Sequence, residues 1–165
     1  MTPDTRPIVA LGIPCGDRVH QEFMQCIWGL GRGAKNHRQG IVSAQSSMIV
    51  NGRNQVVDGA RTIKADYLMF LDSDMTFPYS IFDDLLAHEK DIVGCTYVRR
   101  GPPFDNLGHT VDPKDMSARA GLVEMSHIPT GLLLIKMSVF DSFKKPIFRF
   151  FANEELGMNE GEDMM

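Results

Sequence analysis

"YLMFLDSDMTFP" occupies residues 67–78, and its reading decides the fold. Tyr67 to Leu71 is a short, nearly continuous apolar run, the pattern of a strand covered on both faces. Asp72 and Asp74 follow, with Ser73 between them, and Pro78 is well placed for the first turn of a helix. A buried strand that ends on acids and hands over to a helix is a unit of an open α/β sheet. In such sheets ligands gather beyond the carboxyl ends of the strands.

The flanking sequence repeats the unit. "PIVALGIP" (7–14) reads as a first buried strand, with Gly16 and Asp17 supplying a turn and a helix cap. "HQEFMQCIWGL" (20–30) reads as a helix, its Phe23, Cys26, Ile27 and Leu30 spaced for one face. "GRGAKNHR" (31–38), which carries Arg32, Lys35 and Arg38, reads as a mobile basic loop. A strand lies somewhere in 41–50, and residues 51–65 read as a helix with Val56, Val57, Ala60 and Ile63 on one side. Downstream, "PYSIFDDLLAHEK" (78–90) is a helix and "DIVGCTYV" (91–98) a strand. This rhythm predicts one α/β domain over residues 1–165: a mostly parallel, twisted, Rossmann-like sheet flanked by helices. Residues 99–120 are polar and rich in Pro and Gly. The runs "GLVEMS" and "IPTGLLLIK", the short helix "SVFDSF" and the strand-like "PIFRFFA" then make a small antiparallel excursion in the second half. The acidic tail from Asn153 reads as flexible.

Bulk properties narrow the function. The chain has 165 residues, 43% hydrophobic and 23% charged, as in an ordinary globular domain. A net charge of −4 gives no strong nucleic-acid signature, which would need clustered Lys and Arg. Cys15, Cys26 and Cys95 are odd in number and widely spaced, which fits neither a disulfide framework nor a metal site. Reduced thiols, no signal-peptide pattern at the start and no apolar run near the roughly 18 residues of a membrane span predict a cytoplasmic protein.

The two aspartates carry the chemistry. Along an extended chain, residues two apart point the same way, so Asp72 and Asp74 can face one small volume while Ser73 turns aside. Carboxylates converging there repel unless protonated or bridged by a cation. Oxygen ligands at a strand end suit Mn²⁺ or Mg²⁺, whose remaining positions water or a substrate diphosphate would fill. The plainer alternative is that one of them caps the helix or closes a turn. Arg99 and Arg100 either meet phosphate or solvate an edge. His127, ahead of Pro129, can approach a sugar or metal, although a lone loop histidine is usually neither.

In order along the chain, "GRNQVV", "ADYLMFLDSDMTFP", "DIVGCTYVRRGPPF", "GLVEMSHIPTGLLLIKMSVFDSF" and "GEDMM" resemble segments of nucleotide-diphosphosugar transferases with the GT-A fold, family 2-like glycosyltransferases in particular. The resemblance implies a metal-dependent transfer of a sugar from a nucleotide-diphosphate donor, UDP-sugar favoured, to a hydroxyl acceptor, with inversion. It implies Asp74 and Asp72 as metal residues. It implies Pro14, Cys15, Gly16, Arg53, Asp72 and Ser73 on the nucleotide side, and Asp163 as the catalytic base. Two departures stand out. The usual helix, histidine and lid after Asp163 are missing, and no acidic residue ends the second strand. A truncated or non-catalytic nucleotide-sugar-binding module is therefore an alternative. A sugar-phosphate nucleotidyltransferase is a weaker one, because "GIPCGDR" lacks a dense glycine-rich basic loop.

Overall fold

The computed structural model describes residues 4–112, 121–153 and 158–160. Strand β1 (Ile8–Cys15) is buried along its six inner residues, which is why its sequence carries no polar alternation. Val9, Leu11 and Ile13 enter one core layer and Ala10 enters the other. A methyl group on Gly12 would lie 2.4 Å from Val56 Cγ1 and 2.7 Å from Leu68 Cδ1. The bare backbone at Gly12 thus lets helix α2 (Ile49–Thr62) lie directly on the strand.

Two layers of side chains hold the sheet. On one face, α1 (Gln21–Gly33) buries Phe23, Ile27 and Leu30, and the short α3 (Ile81–Leu86) buries Phe82 and Leu85. On the other, Val56, Val57 and Ala60 of α2 meet Phe140 of the 3-10 helix Met137–Ser142 and the buried Ile147 and Phe148. Among the described residues, no helix is long and apolar enough to cross a membrane.

The sheet itself departs from the sequence expectation. β2 (Arg38–Gln45) and β3 (Tyr67–Leu71) flank β1, both parallel to it. β4 (Ile92–Gly94) forms the far edge. The chain then makes β5 (His109–Thr110) and β6 (Met125–His127), an antiparallel pair outside the main sheet. It returns as β7 (Leu132–Lys136), which inserts between β3 and β4 antiparallel to both, giving the order β2-β1-β3-β7-β4. With the β8 (Phe151–Asn153) and β9 (Met158–Glu160) pair, four of the six ladders among the described residues are antiparallel. The mostly parallel, Rossmann-like GT-A sheet expected above is therefore corrected to a mixed sheet.

The cause is where the chain re-enters. A parallel strand needs a crossover to the opposite edge. β7 begins beside the carboxyl end of β4, where Cys95 N–H donates to the Leu132 carbonyl at 3.1 Å, and runs backwards along it. Four of its five residues, Leu132 to Ile135, are buried, so its apolar run imitates a parallel strand.

Local boundaries differ in the same spirit. α1 runs on to Gly33 and β2 begins at Arg38, so the expected mobile loop shrinks to a tight connection. α3 starts at Ile81, after a turn in which Ile81 N–H donates to the Pro78 carbonyl at 3.1 Å. Asp17 caps nothing, because α1 begins four residues later with His20 at its N-cap. Met158–Glu160 of the acidic tail is a paired strand.

Candidate functional site

One edge of the sheet collects the chemistry-bearing residues. It holds the carboxyl ends of β1, β2, β3 and β4 and the start of β7. β3 ends at Leu71, and the chain turns at once: the Asp72 carbonyl accepts a bond from Met75 N–H at 3.0 Å. Asp72 and Asp74 are thus members of a β-turn rather than an extended run. The expectation that strand alternation aims both carboxylates at one point is corrected, because there is no strand beyond Leu71 to alternate. The Ser73 carbonyl accepts from His20 N–H at 3.0 Å, which ties the turn to the start of α1.

Each carboxylate has its own arginine. Arg53, the fifth residue of α2, has a side chain only 3% exposed, and its Nη2 lies 3.5 Å from Asp72 Oδ1. A buried guanidinium requires a counter-charge, and Asp72 supplies it. Arg53 therefore reaches the edge through Asp72 rather than through open solvent. Asp74 Oδ2 is paired with Arg100 Nη2 on the segment after β4. Arg100 is 75% exposed and Asp74 25%.

The start of β7 closes the arrangement from the other side. Asp72 N–H donates to the Gly131 carbonyl at 2.9 Å, and Gly131 N–H donates to the Tyr97 hydroxyl at 3.0 Å. Thr130 is buried beside them. Sequence reading passed over Tyr97, Thr130 and Gly131 as site residues. The one available signal was the Thr-Gly pair immediately ahead of an apolar run.

Pro14, Cys15 and Gly16 lie at the end of β1 and just beyond it. Cys15 is half-buried, and the position of a Gly16 side chain is open space. The first turn of α2 packs here: a methyl group on Gly52 would lie 3.4 Å from Pro14 Cβ. The N-cap residue of that helix, Met48, makes no side-chain capping bond. At the end of β2, where the sequence offers no acid, Gln45 Nε2 donates to Asp17 Oδ1 at 3.0 Å. The structure thus supplies from the β1 loop a carboxylate that β2 lacks. Cys95 follows β4 at the same edge. Burial pushes its thiol up, helped by the charge of Asp84, so it stays a neutral thiol. His127 lies on β6, opposite His109, with ring centroids 5.6 Å apart. Asp163 lies outside the described residues.

Among the described residues, no group of three His, Cys, Asp or Glu side chains is placed to hold a metal. The donor set on offer is two carboxylates. That chemistry fits a hard divalent ion which keeps most of its shell for water and phosphate oxygens. Asp72 and Asp74 would hold it, with Arg100 as a competitor for Asp74. Two surface grooves lie elsewhere. One runs between α2 and residues 145–147, and the other lies at the opposite sheet edge beside Asp66, Tyr67 and Lys136. Both are open; the first carries one facing pair, Lys145 Nζ to Asp58 Oδ1 at 2.5 Å, whereas the aspartate edge carries two carboxylate–arginine pairs.

No family model matches the chain, and no curated protein matches it. Among solved structures, the crystal structure of A197 from STIV is similar, with a TM-score of 0.60 and 17% identity. The match covers 88% of this chain and 72% of that one. At that identity the likeness is one of fold alone.

Proposed function

We propose that the aspartate edge binds a nucleotide-diphosphosugar together with Mn²⁺ or Mg²⁺, and that the chain transfers the sugar to a hydroxyl acceptor. The observation that carries this reading is the β3 turn: Asp72 and Asp74 stand at a strand end with Arg53 and Arg100 converging on them. A bound cation supplies charge neutralisation for a departing diphosphate. Asp72, fixed by Arg53 and by the Gly131 carbonyl, orients the nucleotide side. Asp74 has the more exposed partner, since Arg100 is 75% exposed and Arg53 only 3%. The start of α2 beside Pro14 offers backbone N–H groups to the diphosphate. Asp163 is proposed as the base that removes the acceptor proton, which accords with inversion. The three free cysteines support a reducing, cytoplasmic setting.

A second reading has its own support. Each aspartate already has a cationic partner, as expected of a purely structural turn. Calorimetry with UDP, GDP and CDP, with and without Mn²⁺, separates the two. The donor-site reading expects nucleotide binding that needs the metal and falls at least about ten-fold in Asp74→Asn, the loss of one charged ligand. Binding that ignores the metal and survives that substitution favours the structural turn. Asp163→Asn should keep donor binding and abolish transfer; unchanged turnover removes it as the base.

A further inference from the structure

We propose that Arg100 is an exchangeable counter-ion. It holds Asp74 while no cation is bound, and it turns to the donor diphosphate when the cation takes the carboxylate. The inference rests on the donor-site reading above and assigns to Arg100 a positioning role.

The two aspartates are held very differently. Asp72 is locked: its guanidinium partner is 3% exposed, its N–H is bonded to Gly131, and a Gly131 methyl would sit 2.9 Å from its Oδ2. Asp74 is held by a side chain that is 75% exposed. An ion pair with so exposed a partner is weak, because water screens it and ordering a long side chain costs entropy. A divalent ion therefore displaces this guanidinium easily, while the pair to Asp72 stays in place.

The backbone beneath Arg100 is anchored. Arg99 N–H donates to the Asp105 carbonyl at 2.9 Å, and Leu107 N–H donates to Tyr97 at 2.8 Å. Val98 bridges Asn106, and the Tyr97 hydroxyl is tied to Gly131. Only the Arg100 side chain has to move, so once released its fork stays at the same edge. A planar guanidinium suits two phosphate oxygens better than one carboxylate oxygen.

Charge balance points the same way. Two aspartates and two arginines sum to zero. A divalent cation adds two positive charges and a diphosphate diester two negative ones. The total stays near zero when the metal pairs with the aspartates and Arg100 with the diphosphate. Loss of Arg100 would leave the occupied site one negative charge in excess.

The test titrates Mn²⁺ alone into wild type, Arg100→Gln and Arg100→Lys by calorimetry. UDP is then titrated at saturating Mn²⁺. Circular dichroism melts confirm that each variant is folded. Arg100→Gln should bind Mn²⁺ about two- to five-fold more tightly, since a weak competitor is gone. It should bind UDP about ten-fold more weakly, since a charge-assisted contact is gone. Arg100→Lys should fall between wild type and Arg100→Gln in both. Mn²⁺ affinity that is unchanged or weaker in Arg100→Gln overturns the exchange, as does unchanged UDP affinity, even where wild type binds both ligands. A wild type that binds neither Mn²⁺ nor Mn²⁺-dependent UDP overturns the donor site itself, and the exchange with it.

Discussion

A methyl group at Gly131 would lie 2.3 Å from the Tyr97 hydroxyl and 2.9 Å from Asp72 Oδ2. Both atoms are side-chain ends, so they can retreat, and the cost falls on the site more than on the fold. Gly131→Ala should destabilise by about 1–2 kcal/mol, at the lower end for overpacking. It should weaken Mn²⁺-dependent UDP binding more steeply, because Asp72 loses its set position. Denaturant melts and calorimetry on the same sample separate the two effects. UDP affinity equal to wild type would reduce Gly131 to a sheet residue. His37 is the other residue whose environment sets a measurable response. It is 2% exposed, its ring lies 4.0 Å from that of Phe82, and Gln39 Nε2 sits 2.7 Å from its Nε2. Burial pushes its pKa below the ordinary histidine value of about 6.5, although Asp83, 3.4 Å from Nδ1, pulls the other way. The unfolded chain therefore takes up a proton that the folded one refuses. The stability His37 contributes is complete above about pH 6.5 and drains away as pH falls below it. Melts between pH 7.5 and 5 should show this decline, and His37→Gln should flatten it. Equal slopes would remove His37 as the titrating group.

Asn54 shows how one side chain joins two elements. Its Oδ1 accepts from Ile147 N–H at 3.0 Å and from Phe148 N–H at 3.1 Å. Its Nδ2 donates to the Phe148 and Val50 carbonyls, each at 2.9 Å. Residues 147–148 have no strand to satisfy their backbone, so α2 does it through this amide, and Phe148 can then stack edge-on against Phe70 at 5.4 Å. Asn54→Leu keeps the volume but orphans three backbone groups. It should cost about 3 kcal/mol or more, a fall in Tm of roughly 6–12 °C for a chain of this size. Asn54→Asp keeps both accepting bonds and loses only the donor, so its Tm should lie between those of wild type and Asn54→Leu. The reverse order would contradict the clamp. Asn54 was illegible in the sequence because its partners are 93 and 94 residues away. The same distance in sequence hides Arg53 and Arg100 as partners of the aspartates, 19 and 26 residues off. What could be read was local. Apolar runs marked β1 and β3, and 3.6-residue spacing marked α1 and α2, all within a few residues of their observed ends. A carboxylate after a buried strand also follows from local pattern alone, so Asp72 and Asp74 can be read at that strand end, whereas Arg53 and Arg100 can be read as arginines near phosphate but not as the partners of these aspartates.

At the scale of the whole molecule, the late position of β7 in the chain and its inner position in the sheet make the fold depend on its second half. Leu68 to Leu71 of β3 pair along β7, and β4 reaches the rest of the sheet only through it. A parallel sheet built from the first four strands would be complete by Gly94 and could stand alone; the observed one cannot. Leu132, Leu133, Leu134 and Ile135 are each at most 3% exposed and feed both core layers. At about 1.5–3 kcal/mol for each buried aliphatic side chain, these four contribute roughly 6–12 kcal/mol. That is comparable with the whole net stability of a typical domain, about 5–15 kcal/mol. A chain ending at residue 127 should therefore show no cooperative thermal transition, even though it keeps β1 to β4 and α1 to α3. Replacing Leu133 and Leu134, one from each core layer, by alanine in the full chain gives a graded version of the same test. Each should cost about 2–5 kcal/mol, and the pair together should approach the limit of folding. A truncated chain that melted cooperatively near the full-length Tm would show that β1, β2, β3 and β4 close a sheet without β7, and the mixed strand order would then be wrong.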